Sequence, residues 1–176
     1  MIFAKYTYIC NKFLRVVKIE LVDLEKFSGN KAHIYSVNID GSKDTLFEEF
    51  VNEFGAEYSK DVKEIVKNLL VMGKISGCQE NFFKLNEGKA GDGVAALWSN
   101  RIRAYCIRYG SSLIILGGGG YKPSGVKAYQ EVKELNHKAE LVKHLAKIIN
   151  QRIKDKDLLL NEDGTIAGEL TFEDYE

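Results

Sequence analysis

Arg101, Arg103, Tyr105 and Tyr109 fall at alternate positions of the segment RIRAYCIRY, residues 101–109, so an extended chain sets two guanidinium groups and two phenols on one side. A guanidinium grips phosphate oxygens through a planar fork of donors, and a tyrosine offers both a ring for stacking and a hydroxyl. That combination suits RNA or another phosphorylated ligand. Ile102, Ala104, Cys106 and Arg108 take the opposite side. The same pattern also fits a plainer arrangement, with Tyr105 and Ile107 in the core and the arginines solvated at one strand end. Lys122 lies beyond the next apolar run and supplies a further cation, while Trp98 and Tyr121 flank the pair of strands as candidate stacking surfaces.

The run GGGGYKPS, residues 117–124, has the glycines and lysine of a phosphate loop, but Tyr121 stands where the last glycine should precede the lysine. The glycines are therefore expected to end a strand in a sharp, uncrowded turn. His137 and His144 are seven apart on a helical pattern, about two turns, which is too far to share one metal ion, so both read as surface or boundary residues. No metal and no cofactor is expected. Cys10, Cys78 and Cys106 are odd in number and widely spaced, which indicates neither a disulfide framework nor a zinc finger, and Cys106 reads as a core residue.

Local pattern names the elements that must hold these side chains. VVKIELV (16–22) and HIYSVNI (33–39) alternate like strands around turn residues, predicting an early hairpin. Thr45 and Glu48 form a capping box before Leu46, Phe47, Phe50, Val51 and Phe54, and Val62, Ile65, Val66, Leu69 and Leu70 mark a second helix. Short strands at 82–85 and 94–98 flank the polar connection NEGKAGDG, which reads as a mobile surface loop. A central hairpin follows, 101–109 and 113–116, turning at Gly110, Ser111 and Ser112, then a third helix from Leu135 to Ile153. LLL at 158–160 and the segment 168–172 around the turn NEDG predict a small terminal hairpin.

With 176 residues, 45% of them hydrophobic, the chain is sized for one domain with an ample core. Net charge is zero overall but unevenly spread, because residues 155–176 hold eight acidic side chains against Lys156 alone. A single domain over 1–154 with an extended N-terminus, followed by an acidic tail over 155–176, is expected. That tail reads as a solvated edge hairpin, or as a segment lying over the basic face in imitation of RNA or an antitoxin. The interrupted opening segment lacks a convincing signal peptide, no apolar run reaches membrane-spanning length, and the location expected is cytoplasmic, with no membrane partner.

The order of elements, and RIRAYCIRYGSSLIILGGGGYKPSG above all, resembles the RelE/HigB/ParE-like toxins of bacterial toxin–antitoxin pairs, the HigB-like branch in particular. The resemblance implies an α+β fold with a small, mostly antiparallel sheet, two helices before its central strands and one after. It further implies a metal-independent mRNA endoribonuclease in which a ribose 2′-OH attacks the neighbouring phosphate. On this chain the catalytic candidates are then Arg103, Lys122, Arg101 and Tyr121, and the substrate-binding candidates Arg108, Tyr105 and Trp98. The partners implied are a cognate antitoxin protein and mRNA or the ribosome. The loop departs from the HigB-like pattern, which commonly has a lysine pair where this chain has Tyr121–Lys122–Pro123. A non-catalytic protein of the same fold, binding an antitoxin or a gyrase-like target, is the alternative, and a small-ligand enzyme built on the glycine loop a third reading.

Overall fold

The computed structural model describes residues 15–85, 94–127 and 129–175. The readings of the opening segment, of Cys10 and of the NEGKAGDG connection at 86–93 lie outside the described residues.

Two strands, β1 (Val16–Asp23) and β2 (His33–Ile39), pair antiparallel as their alternation predicts. In α1 (Leu46–Phe54) the Thr45 hydroxyl accepts from the Glu48 N–H while the Glu48 carboxylate accepts from the Thr45 N–H, so both halves of the capping box are made. Phe47 and Phe50 turn the apolar side of that helix to the core. Next comes α2 (Ser59–Val71), whose last turn widens into a π-helical stretch, Met72–Ser76. Strands β3 (Phe83–Lys84), β4 (Val94–Ser99), β5 (Ile102–Tyr109) and β6 (Leu113–Tyr121) form an antiparallel run, and Gly110 turns β5 into β6 with φ +60°. A 22-residue helix, α3 (Lys133–Lys154), crosses back, and β7 (Leu158–Leu160), β8 (Ile166–Gly168) and β9 (Thr171–Tyr175) complete the described chain.

The main sheet is larger than the sequence led us to expect, and it is mixed. Its order is β3-β4-β5-β6-β2-β1-β9, with β2 and β6 running parallel and every other pair antiparallel. Helices are interleaved with strands along the chain, and strands follow the last helix. The sheet is mostly antiparallel as expected, but its size and the interleaved helices correct the expectation of a small RelE-like sheet with two helices before its central strands and one after. The parallel joint ties residues 33–36 to 113–116, a long-range pairing for which neither strand carries a local signal. The segment 168–172, expected to close the terminal hairpin, instead divides between the end of β8 and the start of β9; in TFEDY of β9 only Phe172 is buried. Its ladder comes from β1, so the acidic tail is one edge of the main sheet, while the small terminal hairpin is β7 with β8.

Each face of the sheet packs its own core. Tyr105, Ile107, Leu113 and Ile115 meet α3, whereas Ala104, Cys106, Ile114 and Leu116 meet α1 and α2. The strand alternation that sends Arg103 and Arg108 to opposite sides therefore also sends them to different layers. Three acidic groups of the tail settle against α3: Arg152 pairs with Glu169 and Asp157, and His144 Nε2 lies 2.7 Å from Asp174.

The four glycines do not end β6; they lie inside it. Ala104 pairs with Gly119 and Cys106 with Leu116, so Gly117 and Gly118 together oppose Tyr105 as a β-bulge. None of the four has a positive φ, and what they provide is space. A Cβ on Gly117 would strike Val142 of α3, one on Gly118 would come within 3.1 Å of the Lys138 stem, and one on Gly120 within 3.2 Å of Leu135. With no side chains between them, helix and strand approach backbone to side chain, and the long helix can start directly over the end of β6.

Candidate functional site

At Ser36 and Leu116 the two parallel strands part. Their ladder stops there, β2 continuing along β1 and β6 along β5. From its carboxyl end β2 feeds α1 on one face of the sheet, and β6 leads to α3 on the other. Adjacent parallel strands whose connections leave to opposite faces open a crevice at their carboxyl ends, which is where open sheets with such strands bind ligands. Ser36 fixes the fork. Its buried hydroxyl donates to the Leu116 carbonyl at 2.9 Å and accepts from the Phe47 N–H at 3.2 Å, tying both strands to the first turn of α1. Ser36→Ala is expected to cost about 1–3 kcal/mol, since a buried N–H and C=O lose their partner; urea unfolding measures it.

Beyond this fork, over the last residues of β6 and between the end of α1 and the start of α3, lies a cavity of about 890 Å³, a size typical of ligand sites. Gly119 and Gly120 contribute bare backbone, Tyr121 and Phe54 contribute rings, and the first two turns of α3 contribute Lys133, Glu134, His137 and Lys138. Glu134 and His137 are three apart and so share a helix face; both are exposed. Across the cleft, Lys138 Nζ lies 3.7 Å from the Glu53 carboxylate at the end of α1. Both partners are accessible, which makes this contact a weak one that a ligand phosphate can replace. The helix begins without a side-chain cap, because Val132 occupies that position and the first intrahelical bond runs from the Asn136 N–H to the Val132 carbonyl. The amides of the first turn and the positive end of the helix dipole add to the pull on an anion.

Tyr121 enters from a different direction. Its ring stacks on Tyr58, centroids 5.2 Å apart and planes 22° apart, and Tyr58 in turn leans on Phe54. The side chain is 38% exposed, so a rigid aromatic ring borders the cleft.

The remaining sequence candidates are distributed as follows. Arg103 and Lys122 are on the same face of the sheet, but only 4% and 8% exposed. Arg103 Nη1 donates to the carbonyls of Asn100 and Ile102, and Lys122 Nζ to that of Lys127. Arg101 is exposed and bonds Ser124 Oγ at 2.9 Å. Tyr105 is buried edge-on to Tyr129. Arg108 is on the other face, where it donates to the Cys78 carbonyl and covers the Phe83 ring. Trp98 is 43% exposed, with Lys84 Nζ 4.5 Å from the ring centre. The cleft thus gathers Tyr121 with residues that the sequence reading left aside, His137 above all. Glu134, His137 and Lys138 at the start of one helix were a legible local signal, yet their position over the glycines depends on the fold. Elsewhere, burial pushes the Cys78 thiol up to about 12 and raises Cys106 as well, which keeps both protonated and unreactive at neutral pH. Among the described residues no group of three His, Cys, Asp or Glu side chains is placed to hold a metal ion, and no helix is long and apolar enough to cross a membrane.

Set against known protein families, curated proteins and solved structures, the chain matches none of them.

Proposed function

We propose that this chain cleaves RNA without a metal ion, in the cleft at the carboxyl end of β6, and that it acts as the toxin of a toxin–antitoxin pair. The observation that carries the reading is the convergence of an imidazole, two ammonium groups, three carboxylates and bare strand backbone on one cavity at the carboxyl end of β6. Cleavage of RNA by its own 2′-OH needs two proton carriers and cations for the phosphorane; Glu134 and His137 supply the first and Lys133 and Lys138 the second. Glu134 takes the proton from the 2′-OH as O2′ bonds to phosphorus. The P–O5′ bond breaks, and protonated His137 delivers a proton to the leaving O5′. A 2′,3′-cyclic phosphate and a 5′-hydroxyl result. Lys138, released from Glu53, and Lys133 stabilise the added negative charge. Arg103 and Lys122 are positioning residues in this scheme, holding the β4–β5 turn and the 122–127 loop through backbone carbonyls.

Purified full-length chain incubated with RNA in EDTA is expected to yield cyclic-phosphate ends, and to spare a substrate carrying a 2′-deoxyribose at the cut. Cleavage that requires a divalent ion, or intact RNA at high enzyme concentration, would count against the proposal. In cells, induced expression is expected to stop growth with discrete mRNA cuts. The protein-binding alternative has one observation in its favour, that β9 forms an outer edge of the main sheet to which an antitoxin strand can add. Growth arrest with intact RNA would favour it.

A further inference from the structure

We propose that Trp98 is a second stacking site, which together with the cleft makes the ligand a short single strand of RNA rather than a duplex or a mononucleotide; this rests on the RNA reading of the cleft. On β4 the four residues before Trp98 are all buried, and the indole then emerges at 43% exposure. Lys84 holds it with an ammonium 4.5 Å from the ring centre, which places a cation against an aromatic surface. The turn beyond it is fixed, because Ser99 and Asn100 both donate to Asp61 of α2, so the indole rides on an anchored strand end. Arg101 projects from the same turn and is exposed.

Register locates this surface relative to the cleft. Trp98 pairs with Arg103 and Arg103 with Gly120, which floors the cavity, so the three form one row across β4, β5 and β6. Two strand spacings separate Trp98 from Gly120 by about 10 Å, a span for about two nucleotides of an extended strand. A base stacked on Trp98 thus leaves room for a phosphate near Arg101 and for the next nucleotides in the cleft beside Tyr121. An A-form duplex keeps its bases inside and has none to offer the indole. A mononucleotide reaches one of the two sites only.

Trp98 is the sole tryptophan of the sequence, which makes its fluorescence a direct reporter. Titration with a single-stranded tetraribonucleotide is expected to quench it, while a nucleoside 3′-monophosphate binds, more weakly, without quenching. Trp98→Ala is expected to weaken tetranucleotide binding about tenfold or more and to leave mononucleotide affinity unchanged, with Trp98→Phe recovering most of the loss. A quench-free titration, an equal loss for both ligands, or a duplex that binds as tightly as the single strand would overturn the second site while leaving the cleft reading intact. If the wild-type chain binds neither ligand, the RNA reading itself fails, and the second site with it. Circular dichroism of each variant confirms folding.

Discussion

His137→Ala is expected to slow RNA cleavage by about 10²- to 10⁴-fold, the usual contribution of a positioned general acid or base. The loss should appear in kcat with KM little changed, because in the proposed mechanism the imidazole acts on the leaving oxygen rather than on the bound strand. Folding should be unaffected. The His137 side chain is exposed on α3 and takes part in no hydrogen bond among the described residues, so its removal should change stability by no more than about 0.5 kcal/mol. Glu134→Gln should produce a loss of similar size, and the double variant should be hardly worse than either single one, since the two groups serve one proton circuit. Lys138→Ala should instead raise KM, because its ammonium meets the phosphate in ground and transition state alike.

Gly119→Ala is expected to be the most damaging single methyl group in the sheet. The added carbon would strike the Arg103 carbonyl on the neighbouring strand, with the Ala104 Cα 2.8 Å away, and neither belongs to a side chain that can swing aside. Gly119 pairs directly with Ala104, so relief means separating β5 from β6 next to the bulge. A cost of about 3 kcal/mol follows from overpacking of this kind, equivalent to a drop in Tm of about 6–12 °C for a chain this long. Gly118→Ala is the instructive contrast. Its methyl would meet only the Lys138 stem, at 3.1 Å, which can rotate. Stability should barely move there, while RNA affinity falls with the displaced ammonium. Thermal unfolding of the two variants side by side distinguishes a strand packed against backbone from a strand packed against a flexible side chain.

Local chemistry made much of this fold legible. The capping box at Thr45 and Glu48, the apolar stripe of Val62, Ile65 and Leu69, and the glycine turn at Gly110 each act within a few residues, and each is present. Alternation also placed Arg103, Tyr105 and Ile107 on one side of β5. What it could not convey is depth: the same alternation describes a solvated arginine and one that is 4% exposed. The glycine run was misread because its cause is non-local. Val142 and Leu135, which need the space, come 25 and 15 residues after Gly117 and Gly120, on a helix that reaches them only once the chain has folded back. The parallel joint of β2 with β6 depends on residues 80 apart, and the cleft that singles out His137 forms only where the start of α3, the end of α1 and the end of β6 come together in the folded chain.

Photo-crosslinking tests the proposed RNA site most directly. Single-stranded RNA carrying 4-thiouridine, irradiated with the full-length chain and mapped by peptide mass spectrometry, should attach to residues 119–123 and 133–138, and an excess of unlabelled strand should abolish the signal. Crosslinks confined to β9 or the β7–β8 hairpin, with the cleft peptides unmodified, would contradict the assignment of the cleft as the site of RNA binding and cleavage.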